Sequence, residues 1–244
     1  MRTHFRELVR SGTYRLLRWG IKPPTDAFST VVEVTRLREC LEELSINCVL
    51  DVGANEGQFA TRLRRLGFSG WIISFEPHPT AFARLQDRHG DDPKWRGCQF
   101  ALGSVRETKP FYLHADSSFS SFLRPLEDEP TQTSVEDVEV QTLSDVLDGL
   151  LAKISEPRIM LKMDTQGWDL EVLRGATSVL PRVDALLSEL SVQPLYDGMT
   201  PIEGALSFYR ELGFQLYDIT PINRRPDGTV VECDCLLVRP GAHR

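Results

Sequence analysis

Four carboxylates stand in or just beyond short apolar runs. They are Asp51 within Cys48–Val52, Glu76 after Trp71–Phe75, Asp164 after Ile159–Met163, and Glu189 near the end of Ala185–Leu190. Runs of this kind read as strands buried on both faces of a parallel sheet, and the tips of such strands are where ligands of α/β proteins sit. The first run passes into Gly53-Ala54-Asn55-Glu56-Gly57. Glycine there lets the main chain approach a ligand that a Cβ would obstruct. Glu76 follows about 20 residues later, where a carboxylate suits the two hydroxyls of a ribose. The spacing is not Gly-x-Gly-x-x-Gly and no Gly-Lys-Ser/Thr follows, so neither a pyrophosphate nor a triphosphate cradle is evident. Asp51 and Glu56 would repel a phosphate. The expected ligand is a nucleoside-bearing cofactor whose other end is cationic, with an α-amino group and a sulfonium.

The elements that must carry these residues follow from periodicity. Phe59, Leu63 and Leu66 recur at helical spacing after the glycine turn, and Gly67 is placed to stop that helix. Phe82 with Leu85, and Leu170 with Leu173, Ala176 and Leu180, mark helices after the second and fourth runs. Cys98–Gly103 reads as a third strand whose small tip leaves room for an adenine. Pro110–His114 and Val135–Gln141 alternate like two antiparallel arms. Asp116–Phe122 between them is too long and polar for a hairpin turn and is expected to be a lid or substrate loop. Thr142 starts a short helix, and Thr200-Pro201-Ile202-Glu203 predicts a capping box with proline at the first helical position. Phe214–Ile219 and Glu232–Val238 close the chain as a hairpin through Arg225-Pro226-Asp227-Gly228. The order predicts an α/β fold: a mostly parallel sheet with one antiparallel strand and a small β insertion. Residues 1–45 are expected to form an N-terminal helical extension and 46–240 a single catalytic domain.

Composition narrows the partners. At 244 residues, 41 % hydrophobic and 26 % charged, the chain suits one globular domain with appendages. A formal charge of −7 argues against a nucleic-acid binder. No apolar run reaches the length of a membrane span, and Arg6, Arg10, Arg15 and Arg18 interrupt any signal-peptide core. Residues 1–20 read as a basic amphipathic helix, expected to pack on its own domain or on a second subunit of a homo-oligomer, with at most weak membrane-surface contact. The five dispersed cysteines are expected as reduced, mostly buried thiols in the cytoplasm. Cys233 and Cys235 are expected on opposite faces of a strand.

The glycine stretch resembles the first motif of class I S-adenosylmethionine-dependent methyltransferases, and Phe75-Glu76-Pro77 resembles their second. From Cys48 to Val238 the chain is similar to the FkbM family of methyltransferases. That likeness is carried by Leu50–Gly57, Phe75–Pro77, Ala101–Gly103, Thr142–Asp145, Leu161–Gly167, Leu173–Ala176, Glu189, Leu195–Gly198, Gly213-Phe214 and Asp234. The resemblance implies a Rossmann-like, seven-stranded class I fold and O-methylation of a hydroxyl on a sugar, glycan, glycolipid or polyketide-type molecule. By the same resemblance Asp51, Gly53 and Gly57 surround the methionine end of S-adenosyl-L-methionine and Glu76 holds the ribose; Asn55, Pro77, Ala101 and Leu102 complete the candidate cofactor-binding set. Two positions depart from the family pattern. Gln166 stands where many relatives carry glutamate, and Ser144 where aspartate is frequent.

An alcohol is a poor nucleophile near neutral pH and benefits from a base or a metal as its proton leaves. Asp164 is the first candidate, as the base itself or sharing Mg or Mn with Glu189. Glu189 could equally contact substrate or pair with Lys162. His78 is placed for edge contact with the cofactor, and His114, in the insertion, ranks behind Asp164 as a base. A nicotinamide oxidoreductase, or a non-catalytic cofactor-binding module, are the competing readings.

Overall fold

The structure is a computed structural model that describes residues 18–19, 25–126 and 132–242; the amphipathic helix expected over 1–20 falls almost wholly outside them. Contacts divide the chain into two compact units, one ending at Arg36 and one beginning at Leu37. Helix α1 (Thr25–Glu43) crosses that boundary. In the second unit its last turns bury Leu37, Cys40 and Leu41.

From there strands and helices alternate: β1 (Cys48–Val52), α2 (Gln58–Arg65), β2 (Trp71–Phe75), α3 (Pro79–His89), β3 (Trp95–Cys98), β4 (Ala101–Leu102), β5 (Glu107–His114), β6 (Gln132–Gln141), α4 (Leu143–Leu151), β7 (Ile159–Met163), α5 (Asp169–Arg174), β8 (Val183–Ser191), α6 (Ile202–Glu211), β9 (Gln215–Arg224) and β10 (Val230–Val238). Seven strands form one sheet in the order β3-β2-β1-β7-β8-β10-β9. All are parallel except β10, which runs antiparallel to both β8 and β9. β4, β6 and β5 form the small insertion sheet.

β1 and β7 are buried along their whole length because both faces of the sheet are covered. Cys48, Leu50 and Val52 join Leu143, Leu147 and Leu173 on one face, while Val49 joins Leu41, Leu63 and Leu85 on the other. Each such Leu contributes roughly 1.5–3 kcal/mol by leaving water. The strand period of two thus decides which layer each residue reinforces.

Several expectations need correction. The third strand runs from Trp95 to Cys98, so Ala101-Leu102 is not its tip but a separate strand paired with Val140-Gln141 of the insertion sheet. The capping box does not form: Pro201 is the N-cap itself and no side chain caps α6. All five cysteines are free and buried, but Cys233 and Cys235 enter the same apolar layer, since residues two apart on a strand share a face.

Candidate functional site

The candidate site lies where β1 and β7 end side by side. Gly53 has φ +71°, and a Cβ on it would stand 2.0 Å from the carbonyl oxygen of Asp164, so only glycine fits between the two strand tips. Gly53 and Ala54 N–H donate to the Phe75 carbonyl (3.1 and 3.0 Å), which ties the turn to β2. Asn55 N–H then donates to Glu76 Oε2 (2.9 Å) and His78 N–H to Glu76 Oε1 (2.8 Å). Burial pushes the Glu76 carboxyl up to about 7, against the two N–H donors and the Lys162 charge, which pull it down. Gly53, Asn55 and Glu76 thus meet at one turn, and His78 takes part through its backbone.

The turn is not the acidic pocket expected of it. Asp51 is fully buried and pairs with Lys162 Nζ (3.0 Å). Glu56 pairs with Arg84 and, at 3.7 Å, with Arg88. Both charges are cancelled by side chains that reach in from α3 and β7, so an electrostatic preference for a cationic ligand does not follow from them. Ala101 and Leu102 are buried in apolar clusters, 6 % and 1 % exposed, and offer no surface to an adenine. His89, which gave no signal in the sequence, supports the turn from beneath. Its Nε2 lies 3.1 Å from the Gly57 carbonyl and 3.2 Å from Thr61 Oγ, and a Cβ on Gly57 (φ +86°) would meet its ring at 2.7 Å.

Lys162 anchors the other side. Its ammonium reaches Asp51 Oδ1 (3.0 Å), the Gly53 carbonyl (3.1 Å) and Asp164 Oδ2 (3.5 Å), and lies 5.4 Å above the Phe59 ring. Burial alone would discharge it, but Asp51 and then Asp164 outweigh burial and hold its pKa above the usual lysine value. Asp51 Oδ1 meets Lys162 as an ion pair rather than as an aligned hydrogen bond; at 3.0 Å in a buried site the charge contact satisfies it.

Asp164 and Glu189 are brought together by Gln166, whose Nε2 donates to Asp164 Oδ1 and to Glu189 Oε1, both at 3.1 Å. Burial first, then the charges of Asp164, Glu232 and Asp234, push the Glu189 carboxyl well above the usual carboxylate range. The expected metal pair finds no support. One amide donor faces both carboxylates, and among the described residues no group of three or more His, Cys, Asp or Glu gathers to hold an ion.

The serine–phenylalanine loop contains a short 3-10 turn, Ser117–Phe119. Ser117 Oγ donates to Asn55 Oδ1 (2.9 Å) and Ser121 Oγ to the Gln166 carbonyl (2.8 Å). The loop is thus bonded to the glycine turn and to the turn after β7. Tyr196 OH lies 3.0 Å from both the Phe119 carbonyl and Gln166 Oε1. His114, the last residue of β5, is tied to this loop: Asp116 N–H donates to its Nδ1 (3.0 Å) and its ring meets Phe119 edge to face. Gln166, Tyr196 and the two serines were missed as site residues because nothing local to them signals a partner.

Residues 51–216 match the family described as the methyltransferase FkbM domain. The 2-O-methyltransferase NoeI of Sinorhizobium fredii is 23 % identical over 216 residues, spanning 77 % of this chain and 79 % of that protein. Among solved structures, an rRNA methylase from Streptococcus thermophilus aligns with a TM-score of 0.48 at 13 % identity, over 90 % of this chain and 98 % of that one. A magnesium protoporphyrin IX methyltransferase from Synechocystis PCC 6803, solved with bound SAM, aligns with a TM-score of 0.47 at 9 % identity, over 97 % and 96 % of the two chains. With the family match covering more than half of its length, the chain belongs to the FkbM methyltransferase family.

Proposed function

We propose that the chain is an S-adenosylmethionine-dependent O-methyltransferase acting on a hydroxyl of a sugar, glycan, glycolipid or polyketide-type molecule. The donor fits the residues present. Each Glu76 oxygen spends one lone pair on a backbone N–H, which leaves one on each for the two ribose hydroxyls. Asn55, whose N–H holds Glu76, also accepts from Ser117 Oγ, so the serine–phenylalanine loop lies against the same turn. Bound there, S-adenosylmethionine supplies a methyl group already activated by its sulfonium.

The observation that carries the reading is Asp164. It follows the last residue of β7, its backbone N–H donates to Val52 of β1 (3.1 Å), and its carbonyl closes on Gly53. A carboxylate is thereby placed beside the donor turn, with Oδ1 engaged by Gln166 and Oδ2 in a long contact with Lys162. Oδ2 keeps a lone pair for the proton of an acceptor hydroxyl, and Lys162 limits the charge that accumulates. Side chains rich in hydrogen-bonding groups (Asp164, Gln166, Tyr196, Ser117) with the 41 % exposed Phe119 nearby suit a polyhydroxylated acceptor. The 2-O-methyltransferase relative points the same way.

The test incubates cell extracts with isotopically methyl-labelled S-adenosylmethionine and the purified chain. Mass spectrometry is expected to find label in an ether-linked methyl on a glycan, glycolipid or polyketide. Tight donor binding without label in any acceptor overturns the reading.

A further inference from the structure

We propose that Gln166 is a positioning residue for the transfer, holding Asp164 and Glu189 on one side-chain amide whose orientation Tyr196 fixes. This role rests on the reading of Asp164 as the base.

The amide cannot be turned the other way. Its Nε2 carries two hydrogens and faces two carboxyl groups, one at each 3.1 Å contact. Its Oε1 faces the Tyr196 hydroxyl at 3.0 Å. Rotating the group by half a turn would set the amide oxygen against an Asp164 carboxylate oxygen, acceptor facing acceptor. Tyr196 is 4 % exposed and its hydroxyl also touches the Phe119 carbonyl, so its own place is fixed by packing and by the loop.

The backbone tells the same story. Gln166 has φ +52°, a left-handed conformation that is strained for a side-chain-bearing residue. Gly167 beside it is also left-handed, at φ +90°. A residue needed only to shape this turn would be glycine or asparagine. Glutamine adds an arm long enough to reach both carboxyls, and the Ser121 hydroxyl holds its carbonyl at 2.8 Å.

The chemical use of such a bridge is aim. Asp164 is held from one side by the Gln166 amide and from the other by Lys162, so the bridge fixes how its carboxylate is turned. A displacement of about 1 Å in a reacting group can cost about 10²-fold in rate. Releasing Asp164 from Gln166 is therefore expected to slow transfer without touching donor binding, since Glu76 and Asn55 are held independently.

The experiment has two arms on the full chain. In the first, nitrogen-15 NMR follows the side-chain NH₂ of Gln166. Both hydrogens are expected to exchange slowly, and Asp164→Ala and Glu189→Ala are each expected to speed exchange about tenfold or more. In the second, Gln166→Asn, which tolerates the left-handed backbone but is too short to span both carboxyls, is compared with Tyr196→Phe. Measured are label incorporation into the acceptor pool that the unaltered chain methylates, its pH profile, and calorimetric affinity for S-adenosylhomocysteine. Gln166→Asn is expected to lower incorporation about 10- to 100-fold and to move the pH profile, with affinity changed less than twofold. Tyr196→Phe is expected to do the same more weakly. Unprotected amide hydrogens, or full incorporation by folded Gln166→Asn, overturn the proposal. If Asp164→Asn transfers normally while Gln166→Asn does not, Gln166 keeps a role and Asp164 loses the base assignment. The NMR arm needs no acceptor, so it decides the bridge even where hydroxyl methylation fails.

Discussion

On the Glu76 side of the site a carboxylate is fixed by two backbone N–H groups, those of Asn55 and His78. On the Asp164 side the same task falls to side chains: the Gln166 amide, the Lys162 ammonium and, behind the amide, Tyr196. Backbone donors come with the turn, whatever side chains surround it. Side-chain donors must be delivered from several elements and can be exchanged one at a time. The Glu76 side thus depends little on its neighbouring side chains, whereas the Asp164 side can be changed by single substitutions.

The sharpest way to break this contrast is Asp164→Asn. It is expected to reduce turnover about 10²–10⁴-fold, the usual range for a general base, with donor affinity preserved. Near-native turnover on the true acceptor would leave the acceptor side without a chemical role for this carboxylate.

Lys162→Met tests whether the two sides share an anchor. It leaves Asp51 buried and unpaired, which typically costs about 3–5 kcal/mol, and is expected to lower the urea midpoint accordingly. Adding Asp51→Leu should recover most of the loss. A single mutant as stable as the parent would show that the ion pair holds nothing.

Glu76→Ala acts on the donor side only. A loss of one to two orders of magnitude in S-adenosylmethionine affinity is expected, about 1.5–3 kcal/mol for charge-assisted bonds. Unchanged calorimetric affinity in a folded variant removes the ribose assignment.

The smallest effect is a pH dependence. Burial raises Glu76 from 4.5 to about 7 in the free protein. The protonated carboxyl is what burial favours, so this group's contribution to stability is full below 4.5 and is lost as pH rises through about 7. Donor binding needs both oxygens as acceptors, and so runs the other way. Affinity for S-adenosylhomocysteine should fall up to about tenfold from pH 8 to pH 6 as the anion is titrated away. Glu76→Gln should abolish that slope; a slope that persists in it belongs to another group.

What the sequence made legible follows the same division. The glycine turn, Glu76, the alternation of strands and helices, the insertion arms and the closing hairpin all announce themselves through local spacing. The bounds of β3 did not, because Trp95-Arg96-Gly97-Cys98 carries no continuous apolar run. The charge of the turn was misread for a related reason: Asp51 and Glu56 are visible in the motif, while Lys162, Arg84 and Arg88 arrive from other elements. Gln166 was visible only as a departure from a family pattern. Its function depends on Glu189 and Tyr196, which no periodicity links to it.

Asp51 and Lys162 also bear on how the sheet finds its alignment. They stand opposite one another in the β1–β7 register, on the face shared with Val49 and Met160. The remainder of both strands is aliphatic, apart from a cysteine, and would pack almost as well one residue out of step. Such a slip turns one strand's side chains to the opposite layer. It would strand one of the two charges among Leu50, Leu161 and their neighbours, each charge then buried without its partner. A mispaired sheet is thereby several kcal/mol worse than its apolar contacts suggest. The two charges act as a key cut into otherwise uniform strands, admitting the one alignment that also sets Gly53 against Asp164.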